Sequence, residues 1–411
     1  MKNKRIHRSS GVTIIEVLFS IGIVITGLLG VAGLIMVAGT QMTQGLEADA
    51  MSNAGLNAIA EFDTRNMRRP DNMLWYNSNT NTFTSVLSNT LFGPGDDGMW
   101  GTAGHDDDFN GIQDDISEAG YSGSDDIPSP SLCIDPYFIA KQVVDKNTRI
   151  YESNTFPGIQ IPAGNPNQIM TMRRVTLKNP AFATQILSLL QSREIFIAKD
   201  DLAFNTPASG TELPQQQWIT EGLGGPAVKR LNQAETSWLA TLTPNRNRMN
   251  VAAARLEKTD HYLLSIVIFD RRFVDFIDPN SGPLKDRLLN IAFLNRGFGG
   301  GEVRLSHSDP AALDLRHGDW VMLSANSQIG PFHRWYRITY IEEETETTTD
   351  TLGNVTGHYR NATLQGPDWS RPEWHPVVSG GTPQYPTHVT YIPRVIGVFE
   401  KTIRLESTSL Y

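Results

Sequence analysis

From Val17 to Ala38 the chain runs 22 residues without a charge, and directly before this run stands a lone acid, Glu16. A helix crosses the hydrocarbon core of a bilayer in about 20 residues, so the run is long enough to span. An acid within such a segment costs roughly 2.5–3.5 kcal/mol on insertion scales, which makes it a functional residue by default and one in need of a partner. The residues before it are basic (Lys2, Lys4, Arg5, Arg8), an arrangement that keeps the start of the chain on the cytoplasmic side. An ordinary secretory signal has the same order of basic and apolar regions, and Val37-Ala38-Gly39 offers it a small-residue cleavage site. Its apolar region, however, usually runs only about 7–15 residues. A plain single-pass anchor is the other general reading, and it shares this orientation.

The leader ends in Gly11, and the residues that follow read Val12-Thr13-Ile14-Ile15-Glu16-Val17-Leu18. Glycine directly before this sequence resembles the processing motif of the type IV pilin and pseudopilin family. The resemblance implies cleavage between Gly11 and Val12 by a membrane prepilin peptidase, followed by N-methylation of Val12. It also implies that Glu16, at the fifth mature position, neutralises the terminal amine of a neighbouring subunit during assembly. Opposite charges attract far more strongly in a low-dielectric medium than in water, and each offsets the other's desolvation. Val12 replaces the more frequent Phe or Met of the family, and the mid-helix proline of many pilins is missing. Gly22, Gly27, Gly30 and Gly33 stand in that region instead. The matched motif covers about the first tenth of the chain.

Past Ala38 the apolar character becomes one-sided. Leu46, Ala50, Ala54, Ala58 and Phe62 recur at helical spacing, widened by Met51 and Ile59, and Pro70 supplies a stop. A helix from Val12 to Arg68 would be about 85 Å long at 1.5 Å per residue. The expected organisation is a leader (1–11), a membrane or filament-core helix (12–38), its amphipathic continuation (39–69), a loop-rich head region (70–236) and a β-rich head region (237–411).

Cys133 is the only cysteine, so the head is stable without an intramolecular disulfide, and its setting in Leu132-Cys133-Ile134 predicts a small buried residue. The net charge of −9 is concentrated. Ten acids and no Lys or Arg lie between Gly95 and Asp126, which leaves 34 acids against 35 Lys and Arg elsewhere. Within that acidic loop, Asp106-x-Asp108-x-Asn110-Gly111-x-x-Asp114 follows the pattern of EF-hand and dockerin calcium loops. Oxygen ligands at alternate positions converge only where the backbone turns sharply, the role of Gly111, and Ile112 would contribute its carbonyl. Ser117 occupies the twelfth position, where a bidentate acid is expected, and Glu118 stands one residue late; Asp115 or Asp125 could replace it if the chain folds back. The candidate Ca2+ ligands are therefore Asp106, Asp108, Asn110, Ile112, Asp114 and Glu118. The competing reading is a solvated acidic loop without metal.

In the head, Asn179-Pro180 predicts a helix start, with Phe182, Ile186, Leu189 and Leu190 on one face. From Trp238 onward strands are predicted at Trp238–Leu242, Tyr262–Phe269, Leu288–Leu294, Glu302–Leu305, Trp320–Ser324, Trp335–Ile341, Tyr359–Leu364 and Val395–Leu405. The turn signals between them argue for antiparallel pairing. The expected class is α+β: one long N-terminal helix packed on an enlarged, mostly antiparallel β head.

Catalytic patterns are missing from the sequence. Nine histidines are scattered singly without an H-E-x-x-H, Gly297–Gly301 lies between strands rather than before a helix, and Gly120-Tyr121-Ser122-Gly123 lacks nucleophile-elbow spacing. The basic pairs Arg173-Arg174 and Arg271-Arg272, and those around Arg334–Arg337, read as the charged outer faces of strands, so no nucleic-acid partner is expected. The expectation is a non-enzymatic, minor type IV pilin-like subunit. Its partners would be prepilin peptidase, other pilin or pseudopilin subunits, an inner-membrane assembly platform and, before assembly, membrane lipid. A type II secretion pseudopilin and a membrane-tethered, calcium-dependent adhesin remain open.

Overall fold

The computed structural model describes residues 14–77, 80–86, 99, 102–106, 111–114, 130–144, 154–158, 171–197, 218–220, 228–230, 236–244, 261–270, 272, 286–295, 297–327, 330–349, 355–369 and 387–405. It divides into two compact units, Met1–Ser52 and Asn53–Tyr411. The first holds most of a continuous helix, α1 (Ile14–Thr64). In the second, the last turns of α1 belong to a mostly β body.

The first sheet takes strands from both head regions. Its path runs β18 (Val395–Arg404), β10 (His261–Asp270), β9 (Thr236–Pro244), β3 (Leu132–Ile134), β5 (Met172–Asn179), β1 (Met73–Asn77) and β2 (Thr82–Ser85). β4 (Thr155–Phe156) and β6 (Phe182–Ile186) pair with β5 off this path. Every pairing is antiparallel except β3 with β5, whose connection includes helix α2 (Pro136–Val144). Region 70–236, expected to be loop-rich, thus supplies four strands of the main path.

The predicted helix after Asn179-Pro180 is overturned. Asn179 Oδ1 accepts from the Ala181 amide at 2.9 Å, closing a turn, and Phe182–Ile186 folds back as β6 along β5. Proline pushes the residue before it away from helical backbone, so Asn179-Pro180 suits the turn. The helix in this region, α3 (Leu189–Phe196), starts later, at a capping box. Ser188 Oγ accepts from the Gln191 amide, and the Gln191 side chain accepts from the Ser188 amide.

The strands predicted from Trp238 onward all form, but they divide between two sheets. β11 (Arg287–Phe293), β12 (Gly300–His307), β16 (Val355–Gln365), β14 (Gly330–Ile341), β13 (Trp320–Ser327) and β17 (His388–Tyr391) pair in that order, and β17 returns to β11. The result is a closed six-stranded antiparallel barrel, with β15 (Glu346–Thr349) added outside β16. Closure leaves no open edge in the ring itself. Leu289, Val303, Leu305, Leu323, Tyr336 and Leu364 belong to its core. The barrel is inserted between β10 and β18, which remain neighbours in the first sheet. At the insertion point the Asp270 amide donates to the Arg394 carbonyl at 3.0 Å, and their side chains form an ion pair at 3.4 Å.

The first sheet is covered on both faces. On one, Ala54, Ala58 and Phe62 of α1 share a core with Ile134, Trp238, Ala240 and Ile266. On the other, Leu239, Val267 and Phe269 share a core with Met322 and Trp335 of the barrel. β9 is accordingly buried at nearly every position, the pattern of a strand without a solvent face. The remaining two short strands, β7 (Trp218–Thr220) and β8 (Val228–Arg230), form a separate hairpin.

Candidate functional site

Three groups of residues are the candidates for functional chemistry. The first is the start of α1. Gly11 and Val12 lie outside the described residues; Glu16 lies in the first helical turn, where an acid is favoured by the unpaired amides and the helix dipole. Its carbonyl accepts from Ser20 Oγ at 2.8 Å. Ile14–Gly39 is a helical segment of 26 residues, long and apolar enough to cross a membrane. Its described side chains are exposed, with Ile14 at 80% and Phe19 at 73%. Exposed apolar surface of this extent marks an interaction surface, and the length matches that of a bilayer core. The predicted stripe further along α1 is partly visible: Ala54, Ala58 and Phe62 are buried and Met51 and Ile59 half-buried, while the side chains of Leu46 and Ala50 lie outside the described residues.

The second group is the acidic loop. Asp106, Ile112 and Asp114 are described; Asp108, Asn110 and Glu118 are not. The Gly111 amide donates to Asp106 Oδ2 at 2.7 Å, and Gly111 takes a left-handed backbone with φ of 90°. Position one of the pattern is thereby tied to its glycine, by the sharp turn for which glycine is suited. Asp114 Oδ1 accepts from the Gly104 amide at 2.7 Å, and Asp114 itself adopts φ of 56°. Among the described residues, no three or more His, Cys, Asp or Glu side chains are grouped to hold a metal.

The third group is absent from the sequence reading. Asp135, fully buried between β3 and α2, meets two arginines distant in sequence, Arg174 of β5 and Arg272 just after β10. Arg272 binds it with both Nη atoms, Nη1 to Oδ1 at 2.8 Å and Nη2 to Oδ2, while Arg174 Nε stands 3.4 Å from Oδ2. The Phe138 amide donates to Oδ1 at 3.3 Å, so the same carboxylate holds the start of α2. Arg174 also packs over the rings of Phe138 and Phe156, at 3.8 and 5.5 Å. Arg174 and Arg272 are thus interior residues, not part of a charged outer face; Arg173 stacks on Trp75 at 4.9 Å. Asp135-Pro136, an N-cap acid before a first-turn proline, was the local signal for α2.

Burial alone would raise the Asp135 carboxyl, but the Arg272 guanidinium and its hydrogen bonds, then Arg174, outweigh it and hold the group below the usual carboxylate range. Asp286 is affected by the same two arginines, yet burial prevails and its carboxyl is raised. Burial, reinforced by Asp135, pushes the adjacent Cys133 thiol up, which disfavours the thiolate that nucleophilic or redox chemistry uses. Chemically, the cluster is a pin: an ionised acid joining strands β3 and β5, the start of α2 and the segment after β10.

A second buried polar pair lies in the barrel wall, where Ser324 Oγ and His333 Nδ1 are 2.9 Å apart. Burial, then the charge of Arg334, push the imidazole down to about 3. A cleft of about 570 Å3 lies where α1 meets β5 and α3. Two of its cations already have partners, Arg65 with Glu61 at 2.9 Å and Arg69 with Asp71 at 3.0 Å.

No family model, curated protein or solved structure matches this chain.

Proposed function

We propose that this chain is a minor type IV pilin-like subunit. Prepilin peptidase cleaves it between Gly11 and Val12 and methylates Val12. Ile14–Gly39 holds it in the cytoplasmic membrane as a single pass, with the head outside the cytoplasm. Assembly then transfers that segment from lipid to the core of a filament, where Glu16 pairs with the terminal amine of a neighbouring subunit. Other pilin or pseudopilin subunits and an inner-membrane assembly platform are the partners of that step.

One observation carries the reading. A single helix begins with an exposed apolar segment that contains one acid and ends within the core of a mostly antiparallel sheet. A secretory signal needs no such continuity, and a plain anchor has no use for Glu16. The head, enlarged by an inserted barrel, suits a tip or initiating position better than a densely packed shaft. The turn joining Asp106 to Gly111 favours calcium as the ligand of the acidic loop.

Mass spectrometry of the N-terminus, in sheared surface filaments and in membranes separately, tests the reading. N-methylated Val12 at low stoichiometry in filaments supports a minor pilin. The same terminus confined to membranes favours a type II secretion pseudopilin. A chain that starts near Thr40, or that keeps Met1–Gly11 beside an active peptidase, refutes both. Loss of function on Glu16→Ala separates either one from a tethered, calcium-dependent adhesin, which needs only the anchor.

A further inference from the structure

Arg173 and Arg174 are neighbours on β5 and, as successive strand residues, project from opposite faces. Arg174 meets the carboxylate of Asp135. Arg173 lies over the ring of Trp75 instead, with its Cζ 4.9 Å from the ring centroid. Among the described residues the Arg173 side chain has no ion pair and no hydrogen-bond acceptor. Burial pushes its guanidinium down from the ordinary value, and no carboxylate offsets that effect. A guanidinium carries five N–H donors, and withdrawing a cation from water without a partner is costly.

Trp75 holds a second donor in the same state. It is 7% exposed, and its indole N–H is buried without an acceptor. Buried polar groups in folded proteins are nearly always paired, so an orphaned donor beside an unpaired cation requires a cause. The stack itself is not one, because it engages the face of the ring and leaves the N–H groups unused. Thr84, in register with Trp75 on β2, also has a buried hydroxyl without a partner.

We propose that Arg173 and Trp75 form a binding site for an oxyanion, a carboxylate or a phosphate-type group. The guanidinium supplies the charge and a fork of donors that matches either group, and the indole N–H adds a further contact. Both side chains are donors only, so the ligand has to bring acceptors. The positive charge selects an anion over a neutral amide or sugar. Arg173 is half-buried, so an ion in solution reaches it. The site is separate from the Asp135 pin, whose arginines already share a carboxylate.

NMR of the detergent-solubilised full chain with isotope-labelled tryptophan tests the site. Sodium phosphate and sodium acetate are titrated in, with sodium chloride at matched ionic strength as the control. The Trp75 indole signal, assigned with Trp75→Phe, should shift saturably with phosphate or acetate and not with chloride. The anion that binds more tightly identifies the ligand as phosphate-type or carboxylate. Arg173→Gln should weaken that binding about 10-fold or more, and Arg173→Lys should keep part of it. Melting temperature adds a readout that a purely structural arginine would not move. Arg173→Met should melt above the wild type without anion, because an unpaired desolvated charge is gone, and should lose the stabilisation that bound anion gives. A wild-type Trp75 signal that does not shift, or that follows chloride equally, overturns the proposal whatever the variants do. Identical titration of Arg173→Gln and wild type overturns it as well.

Discussion

The ring of Phe399, on β18, occupies the space that a Cβ on Gly55 would need. Gly55 is on the sheet-facing side of α1, between Ala54 and Ala58, so the helix approaches the strand over small residues and the aromatic ring fills the gap. Gly55→Ala forces ring or helix to move and should destabilise the head by about 1–3 kcal/mol, the usual cost of overpacking. Denaturant unfolding of the solubilised chain measures it. Phe399→Leu in the Gly55→Ala background should restore part of the loss; strict additivity of the two changes would show that the contact does not limit packing.

Asp135→Ala leaves Arg272 and Arg174 buried without their carboxylate. The expected loss is about 3–5 kcal/mol, the range for breaking one side of a buried ion pair. The pH dependence has a definite sign. The folded carboxyl lies below its ordinary value, so its contribution is complete at neutral pH and fades as pH falls through the folded value. Asp135→Asn should be less stable than wild type at pH 7, and the gap should narrow in strong acid. Chemical denaturation across that range reads both effects.

His333 acts in a different window. Its imidazole, pushed down to about 3, stays neutral in the folded chain while the unfolded chain takes up a proton near pH 6.5. Stability therefore falls as pH drops from about 6.5 toward 3, by a few kcal/mol in all. His333→Gln should flatten that part of the stability curve, and its persistence in the variant would assign the slope to other groups.

Glu16→Ala should leave the chain in the membrane fraction and remove it from surface filaments. Removing the acid makes insertion easier and takes away the charge that pairs with a neighbour's amine. Fractionation and immunodetection on sheared filaments distinguish the outcomes; filaments that still carry the variant would refute the assembly role.

Calcium should raise the melting temperature of the solubilised chain, and chelation should reverse the shift. Asp106→Ala should abolish the response, because it removes the first ligand and the acceptor of the Gly111 amide. An unchanged melting temperature at millimolar calcium would leave the loop as a solvated acidic segment.

Much of the architecture was legible because it is local. The apolar run, the amphipathic extension of α1 and the alternating strands repeat at 3.6 or 2 residues, and each is seen within a short window. The α3 start is also written locally, in Ser188-x-x-Gln191, whereas Asn179-Pro180, a cap by its local signal, is a turn because β6 folds back on β5. Of the proposed calcium ligands, only Asp106, Ile112 and Asp114 lie among the described residues.

Neighbours a few residues apart were enough to fix the membrane-length helix, the single acid it carries and the strands from Trp238 onward, but not the strands and short helices between Pro70 and Thr236. Tertiary structure alone decided which strands share a sheet, that six of them close into a barrel between β10 and β18, and that Arg272 reaches an acid 137 positions away. Contacts of that kind follow from sheet register and from burial on two faces, and neither leaves a periodic trace along the chain.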